Sequence, residues 1–225
     1  MGGLSDLQMT LITYAFRIPT VLIALTVHEV CHGFVAYKLG DTTARDMGRL
    51  SLNPLRHLSL LGCLCMLFFG FGFAKPVPIN TRGFKHPKRD MALTAIAGPL
   101  SNLCLAIIGI IIKCILEIPL NNATTAGFGY WALFAGYNFT YIFYMLNLSL
   151  CVFNLIPIPP LDGSRVLLSF LPAKQYFGFM KYERYITLAL FALIWIGLLD
   201  GVIFTVVGWL SYGIHYVIYL LPFFG

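Results

Sequence analysis

Val27-His28-Glu29-Val30-Cys31-His32-Gly33 lies inside an apolar run, Ile18 to Leu39, whose only other charged residue is Lys38. His28 and His32 are four residues apart, so on a helix they project from one face, as two ligands of one metal ion must. Glu29 follows the first histidine and can reach a water on that metal as a general base. The pattern predicts a hydrolytic zinc site at membrane depth.

The same H-E-x-x-H pattern also occurs by chance on solvated helix faces that bind no metal. That alternative is disfavoured here, because a carboxylate and two imidazoles in a helix of bilayer length are costly unless they have a partner or a cavity.

The composition indicates an integral membrane protein. The 225 residues are 59% hydrophobic and 11% charged, whereas soluble proteins average about 25% charged residues. The uncharged stretches 91–112 and 130–153 are long enough to span a bilayer. We expect an α-helical polytopic membrane protein with about five to six transmembrane helices and a small membrane-associated β-sheet.

No polar segment is long enough to fold alone, so we expect a single membrane-embedded domain over residues 1–225. Its core covers about 18–170, and a C-terminal helical hairpin covers about 184–224. The helix that carries the histidines is predicted to end at Gly40-Asp41.

The segments between the first two long apolar runs predict extended structure. Residues 41–56 are polar with a short alternation around 49–52, which indicates a strand and a turn. The apolar stretch 58–73 is short for a span and has basic residues on both flanks, so we expect it to be re-entrant. The prolines in 74–80 favour an extended segment.

The net charge of +6 is concentrated in loops, at about 41–57, 74–90 and 163–184. This distribution indicates membrane topology and contact with anionic lipid headgroups, not nucleic acid. With these loops on the cytoplasmic side, the helices at 18–39 and 130–155 both descend toward the cytoplasm. His28, His32 and Asp162 would then lie at a similar depth, near the cytoplasmic leaflet.

Asp162 is the best candidate for a third metal ligand. A catalytic zinc takes three protein ligands and a water, and the two histidines leave one ligand missing. Asp162 follows a proline-rich break, Ile156-Pro157-Ile158-Pro159-Pro160, after the second long span. The alternative is that Asp162-Gly163 is only a turn, or that Asp162 caps the helix that begins at Ser164.

At this point the chain resembles the site-2 protease family of intramembrane zinc metalloproteases. The residues that carry the resemblance follow one another in family order and cover about 18–170: His28-Glu29-Val30-Cys31-His32-Gly33, Gly48–His57, Ala74–Asn80, Gly98-Pro99-Leu100-Ser101-Asn102 and Asn154–Gly163. The resemblance is to the minimal branch of the family, so we expect neither a PDZ or CBS module nor an extra leading helix. Ser59-Leu60-Leu61-Gly62 stands where many relatives have Asp-Pro before the glycine.

The resemblance implies zinc ligands at His28, His32 and Asp162, Glu29 as the base, and Asn154 near the substrate. It also implies a small membrane-inserted sheet at about 43–80. We therefore expect a zinc endopeptidase that cleaves within or next to a transmembrane helix of a membrane-protein substrate. The expected location is a prokaryotic cell membrane, with the active site toward the cytoplasm.

Two alternatives to an active protease stay open at this point. A polytopic zinc carrier would use the same ligand types but would not need Glu29, and would place metal ligands on more than two spans. An inactive protease-like protein is disfavoured by the intact Glu29.

We further expect the substrate to be bound as an added β-strand, since an extended backbone in an apolar setting needs hydrogen-bond partners. Of the two candidate edges, 47–52 is favoured over 73–80, because Pro76 and Pro78 donate no N–H. The alternative is that both segments only complete the protein's own sheet.

Overall fold

The computed structural model describes residues 6–57, 59, 75–122 and 127–221, and helices make up most of this part of the chain. Its seven α-helices are α1 (Asp6–Lys38), α2 (Thr43–Asp46), α3 (Pro87–Asn121), α4 (Phe128–Leu155), α5 (Asp162–Ser169), α6 (Ala173–Trp195) and α7 (Asp200–Tyr219). Two 3₁₀ turns, Pro54–Arg56 and Thr81–Gly83, lie between α2 and α3.

Four of these helices are long and apolar enough to cross a bilayer, namely Thr13–Lys38 of α1 and the whole of α3, α4 and α7. The prediction of a helical multi-pass membrane protein is thus confirmed, but the described residues contain four such helices rather than five to six. One reason is α6, in which Lys181, Glu183 and Arg184 make the first half polar. The other is that the predicted re-entrant stretch 58–73 lies outside the described residues, apart from Ser59.

Helix α3 lies at the centre of the bundle, where it packs against α1, α4, α5 and α7. Helices in a bilayer associate mainly through close packing and polar contacts, because lipid tails are as apolar as their side chains. Gly109 lets α3 approach α4, since a Cβ there would lie only 3.0 Å from the Cβ of Tyr144. The buried apolar cluster between α3, α4 and α7 consists of Ala106, Ile110, Cys114, Tyr144, Leu148, Val207 and Ile218.

The end of α1 fixes the extended segment 75–80. Helix α1 ends at Lys38, close to the predicted end at Gly40-Asp41. Gly40 ends it by adopting a φ of +112°, which favours glycine, and the residue packs closely against the Gly83 carbonyl. The Asp41 carboxylate accepts hydrogen bonds from the Asn80 amide (2.7 Å) and from the amide and hydroxyl of Thr43. Burial alone would raise the pKa of Asp41, but these donors outweigh it and hold the pKa below its usual value.

The predicted β-sheet is not confirmed, because the described residues contain no strand. Residues 43–46 form α2 instead, and 75–80 is extended without a strand partner in the described part of the chain. The physical reason is local: Pro76 and Pro78 have no N–H to donate. In addition, the Arg49 guanidinium, rather than a second strand, binds the carbonyls of Lys75 (2.5 Å) and Pro76 (3.3 Å).

Candidate metal centre

Three side-chain atoms that can bind a metal converge between α1 and the start of α5. His28 Nε2 and His32 Nε2, one turn apart on α1, are 3.0 Å from each other. Asp162 Oδ2 lies 3.1 Å from the first and 3.2 Å from the second. These three residues form the one group of this kind found among the described residues. The structure therefore brings together the ligand set that the sequence suggested.

The hydrogen bonds behind the two imidazoles define which nitrogen carries the proton. His32 Nδ1 lies 2.7 Å from the Thr94 carbonyl, which can only accept, so Nδ1 is the donor. His28 Nδ1 lies 2.6 Å from Asn102 Oδ1, also an acceptor. In the neutral rings both Nε2 atoms therefore carry lone pairs, which is the form that binds a metal.

The donor set fits zinc. Two imidazole lone pairs and a carboxylate oxygen at 3.0–3.2 Å repel one another unless a cation lies between them. Ligand atoms of a tetrahedral zinc site are about 3.3 Å apart, close to these distances. Gly98 leaves the space open, since a Cβ there would overlap the Nε2 atoms of both histidines.

Asp162 reaches this point because the chain turns sharply after α4. Asp162 is the first residue of α5, whose N-cap position is held by Leu161, and Asp162 Oδ2 contacts the two histidines. Gly163 permits the turn, because a Cβ there would overlap the Leu155 carbonyl. Burial raises the pKa of the Asp162 carboxyl, but the two neighbouring imidazoles outweigh burial and keep that pKa well below its usual range.

Glu29 lines a cavity of about 190 Å³ together with the three candidate ligands. Its Oε2 accepts a hydrogen bond of 2.8 Å from the Val77 backbone amide. Val77 stands between two prolines, so its N–H is the one backbone donor of the three residues 76–78. The extended segment thus fixes one carboxylate oxygen of Glu29 beside the three candidate ligands.

Asn154 lines the same cavity, near the end of α4, but it does not belong to the group of metal-binding atoms. Its Nδ2 donates to the Leu150 carbonyl of its own helix at 3.0 Å. This placement is compatible with a contact to substrate.

The structure places the 75–80 segment, rather than 49–52, at the cavity. Pro76, Val77 and Ile79 line it, whereas none of residues 49–52 does. Arg49 instead holds this segment in place through its carbonyls. The edge favoured by the sequence therefore does not line the cavity, and it contacts the cavity-lining segment through the Arg49 side chain.

Sequence reasoning did not assign the residues that hold the histidines. Thr94 acts through its backbone carbonyl, which no sequence pattern marks. Asn102 was named only as the last residue of the motif Gly98-Pro99-Leu100-Ser101-Asn102, without a role, and Asn147, which accepts a hydrogen bond from Asn102 Nδ2, was not singled out. The one sequence feature that could have pointed to Asn102 and Asn147 is that each places an uncharged amide inside an apolar span, where a polar group needs a hydrogen-bond partner.

The chain is similar in sequence to known zinc metalloproteases. The sequence model of peptidase family M50 matches residues 16–197. "Putative zinc metalloprotease YwhC" of Bacillus subtilis (strain 168) is 42% identical over 160 residues, which cover 70% of this chain and 69% of the relative. "Putative zinc metalloprotease Rip2" of Mycobacterium tuberculosis (strain ATCC 25618 / H37Rv) is 30% identical over 195 residues, which cover 84% of this chain and 70% of the relative. No solved structure shows a significant match to the chain.

Proposed function

Because this chain belongs to peptidase family M50, the site-2 protease family of zinc metalloproteases, we propose that it cleaves membrane-protein substrates inside the bilayer. It is a zinc metalloendopeptidase and a multi-pass membrane protein. The observation that carries the proposal is the convergence of His28, His32 and Asp162 beside a cavity that also contains Glu29.

In this proposal His28, His32 and Asp162 hold the zinc ion. When bound, zinc acts as a Lewis acid and lowers the pKa of a water to about 7. The buried histidines are kept in the required orientation by Asn102 and Thr94, so the site needs little rearrangement to bind the ion.

Glu29 is the general base of the proposed mechanism. The Val77 amide holds Oε2, so the other oxygen is available to accept the proton of the attacking water. The same carboxyl then gives the proton to the leaving amine, which restores Glu29 for the next cycle.

The proposed substrate is a transmembrane helix that unwinds locally at the site. A helical amide is shielded and internally hydrogen-bonded, so the scissile stretch must become extended before attack. Segment 75–80 borders the cavity, and no other described residue accepts from its Ile79 amide. We assign this segment, together with Asn154, the role of binding the extended backbone of the substrate.

The proposed orientation places the site toward the cytoplasm of a prokaryotic cell. The end of α1 and the start of α3 lie at one end of the bundle, and the basic side chains of that end include Arg45, Arg56, Arg82 and Lys85. Cytoplasmic loops carry such an excess of basic residues.

We propose that residues 1–225 form one membrane-embedded domain. The family match at 16–197 contains the whole site.

A zinc carrier is the weaker alternative. A carrier would place metal-binding groups at successive depths, whereas the described part of the chain holds a single group, with Glu29 beside it. No structural feature of the described residues favours transport over hydrolysis.

The test of the site is the zinc content of the detergent-purified protein. We expect about one zinc per chain in the wild type and loss of that zinc in His28→Ala and in Asp162→Ala. His215→Ala is the matched control, because His215 is a histidine of span α7 that is not part of the metal-binding group. Full zinc in Asp162→Ala would remove Asp162 from the ligand set.

A further inference from the structure

Three buried side chains connect α4 to the candidate metal centre through α3. Asn147 of α4 accepts, at Oδ1, a hydrogen bond of 2.9 Å from Asn102 Nδ2 of α3. Asn102 Oδ1 in turn lies 2.6 Å from His28 Nδ1 of α1. Both amides are 0% exposed and His28 is 6% exposed. Because these groups are shielded from bulk water, each of them depends on its partner in the protein for its hydrogen bond.

A backbone carbonyl fixes the direction of these hydrogen bonds. Asn147 Nδ2 donates to the Phe143 carbonyl at 2.8 Å, and a carbonyl can only accept. Asn147 must therefore present its oxygen to Asn102. Asn102 must then turn its Nδ2 toward Asn147 and toward the Ala24 carbonyl at 3.4 Å, which leaves its oxygen for His28.

The opposite orientation of the Asn102 amide would prevent His28 from binding a metal. If Nδ2 faced the imidazole, His28 Nδ1 would have to accept a hydrogen bond, and the proton of the neutral ring would sit on Nε2. Nε2 is the atom that faces His32 and Asp162. A protonated Nε2 has no lone pair to offer a metal ion.

We propose that Asn147 is a positioning residue of the metal centre. It determines the orientation of the Asn102 amide and thereby the tautomer in which His28 binds zinc. This inference rests on the proposed function, because it takes His28 as a zinc ligand. It also makes the metal site depend on the packing of α4 against α3, although α4 itself contributes no atom to the metal-binding group.

The deciding variant is Asn147→Leu, which removes the acceptor of Asn102 and fills a similar volume. Zinc affinity is measured on the full-length purified chain by competition with a chelator, and Co²⁺ is bound in place of zinc for its visible spectrum. We expect zinc to bind 10–100-fold more weakly. The cobalt spectrum should also change, because His28 is no longer presented in one orientation. Circular dichroism of the metal-free protein verifies the fold.

Two further variants separate this role from a loss of helix stability. Asn138→Leu is the matched control, because Asn138 also donates to a carbonyl of its own helix, that of Phe134 at 2.7 Å. It should bind zinc as the wild type does. Asn147→Asp should restore most of the affinity, since a neutral carboxyl can accept from Asn102 and donate to the Phe143 carbonyl. If Asn147→Leu does not fold, Asn147→Ala takes its place.

A folded Asn147→Leu or Asn147→Ala protein with the affinity and cobalt spectrum of the wild type would overturn the inference. So would an equal loss in Asn138→Leu, or an Asn147→Asp protein as weak as Asn147→Leu. A wild-type chain whose zinc does not depend on His28 would instead contradict the proposed function.

Discussion

Glu29 is distinguished from the other charged side chains of the cavity by its partner, a backbone amide that belongs to a different segment. A carboxylate that serves as a base needs an oxygen within hydrogen-bond reach of the proton that it accepts. Val77 provides the fixed contact, while the proposed ligands His28, His32 and Asp162 point to a common centre next to it. The proposed roles of neighbouring residues therefore follow from which atom each of them contacts.

Replacement of Glu29 by Gln should abolish cleavage and leave zinc bound. The amide is nearly isosteric and still accepts from the Val77 amide through its oxygen, but it cannot take a proton from water. Loss of a general base typically lowers the rate about 10²–10⁴-fold. Cleavage of a membrane-embedded reporter substrate and zinc content are measured on the same preparation. Substantial turnover by Glu29→Gln would contradict the mechanism.

Replacement of Gly98 by Ala should weaken zinc binding about 10-fold or more. The added methyl group would overlap the Nε2 atoms of His28 and His32 and displace the rings. Gly208→Ala is the matched control, because Gly208 lies in span α7 and has nothing within 4 Å of an added Cβ. That control should bind zinc normally and be as stable as the wild type or slightly more stable. Normal zinc affinity in Gly98→Ala would show that the ligands do not need this space.

Side chains from other parts of the chain hold the segment 75–80 in position. Asp41 holds its end at Asn80, Arg49 holds the carbonyls of Lys75 and Pro76, and Glu29 binds its middle at Val77. An irregular segment with this many side-chain contacts can border a catalytic cavity without belonging to a sheet.

The proposed substrate contact of this segment is tested with Ile79→Pro. The change removes the Ile79 amide hydrogen, which no described residue accepts, so the fold should hold. Loss of one hydrogen bond to substrate should lower cleavage about 5–30-fold. Zinc content should not change, because none of the proposed ligands contacts this amide.

Leu52→Pro is the control for Ile79→Pro. Leu52 is 72% exposed and does not line the cavity, so cleavage should remain at the wild-type rate. The reverse result, with Leu52→Pro impaired and Ile79→Pro active, would move the substrate edge back to 49–52.

The two opposite ends of the helix bundle differ in charge. Basic residues concentrate in the segments between α1 and α3, whereas Lys113 near the other end of α3 is paired with Glu117 at 2.9 Å. Tyr219 donates to the same carboxylate at 3.1 Å, which places the end of α7 beside the end of α3. The excess of basic over acidic residues at one end supports the proposed orientation of that end toward the cytoplasm.

The topology is tested with single cysteines in a chain from which the native cysteines have been removed. In intact cells a membrane-impermeant maleimide should label Asn122→Cys, at the end of α3, and should not label Lys85→Cys. Lys85→Cys should react only after the cells are permeabilised. The opposite pattern would place the metal centre near the outer side.

The helical membrane class, the metal-binding residue types and the candidate base can all be predicted from the amino-acid sequence. These follow from local rules: a period of 3.6 residues puts His28 and His32 on one face, and apolar runs of bilayer length can only form spans or buried helices. The zinc metalloprotease family was likewise evident from motifs in order along the chain. Asp162 could be suggested because zinc needs a third ligand.

How these residues are held in place depends on contacts between helices that are distant in the sequence. Asn102 and Asn147 lie 45 positions apart in sequence and meet only because α3 packs on α4. The segment 41–56, predicted as a strand and a turn, contains the helix α2 and no strand, and the Arg49 side chain binds the carbonyls of Lys75 and Pro76 where a neighbouring strand would have done so. Periodicity describes which face of an element is buried, but it contains no information about which distant polar group completes a hydrogen bond. That depends on how the helices pack, because a buried donor or acceptor must find its partner on whichever element lies beside it.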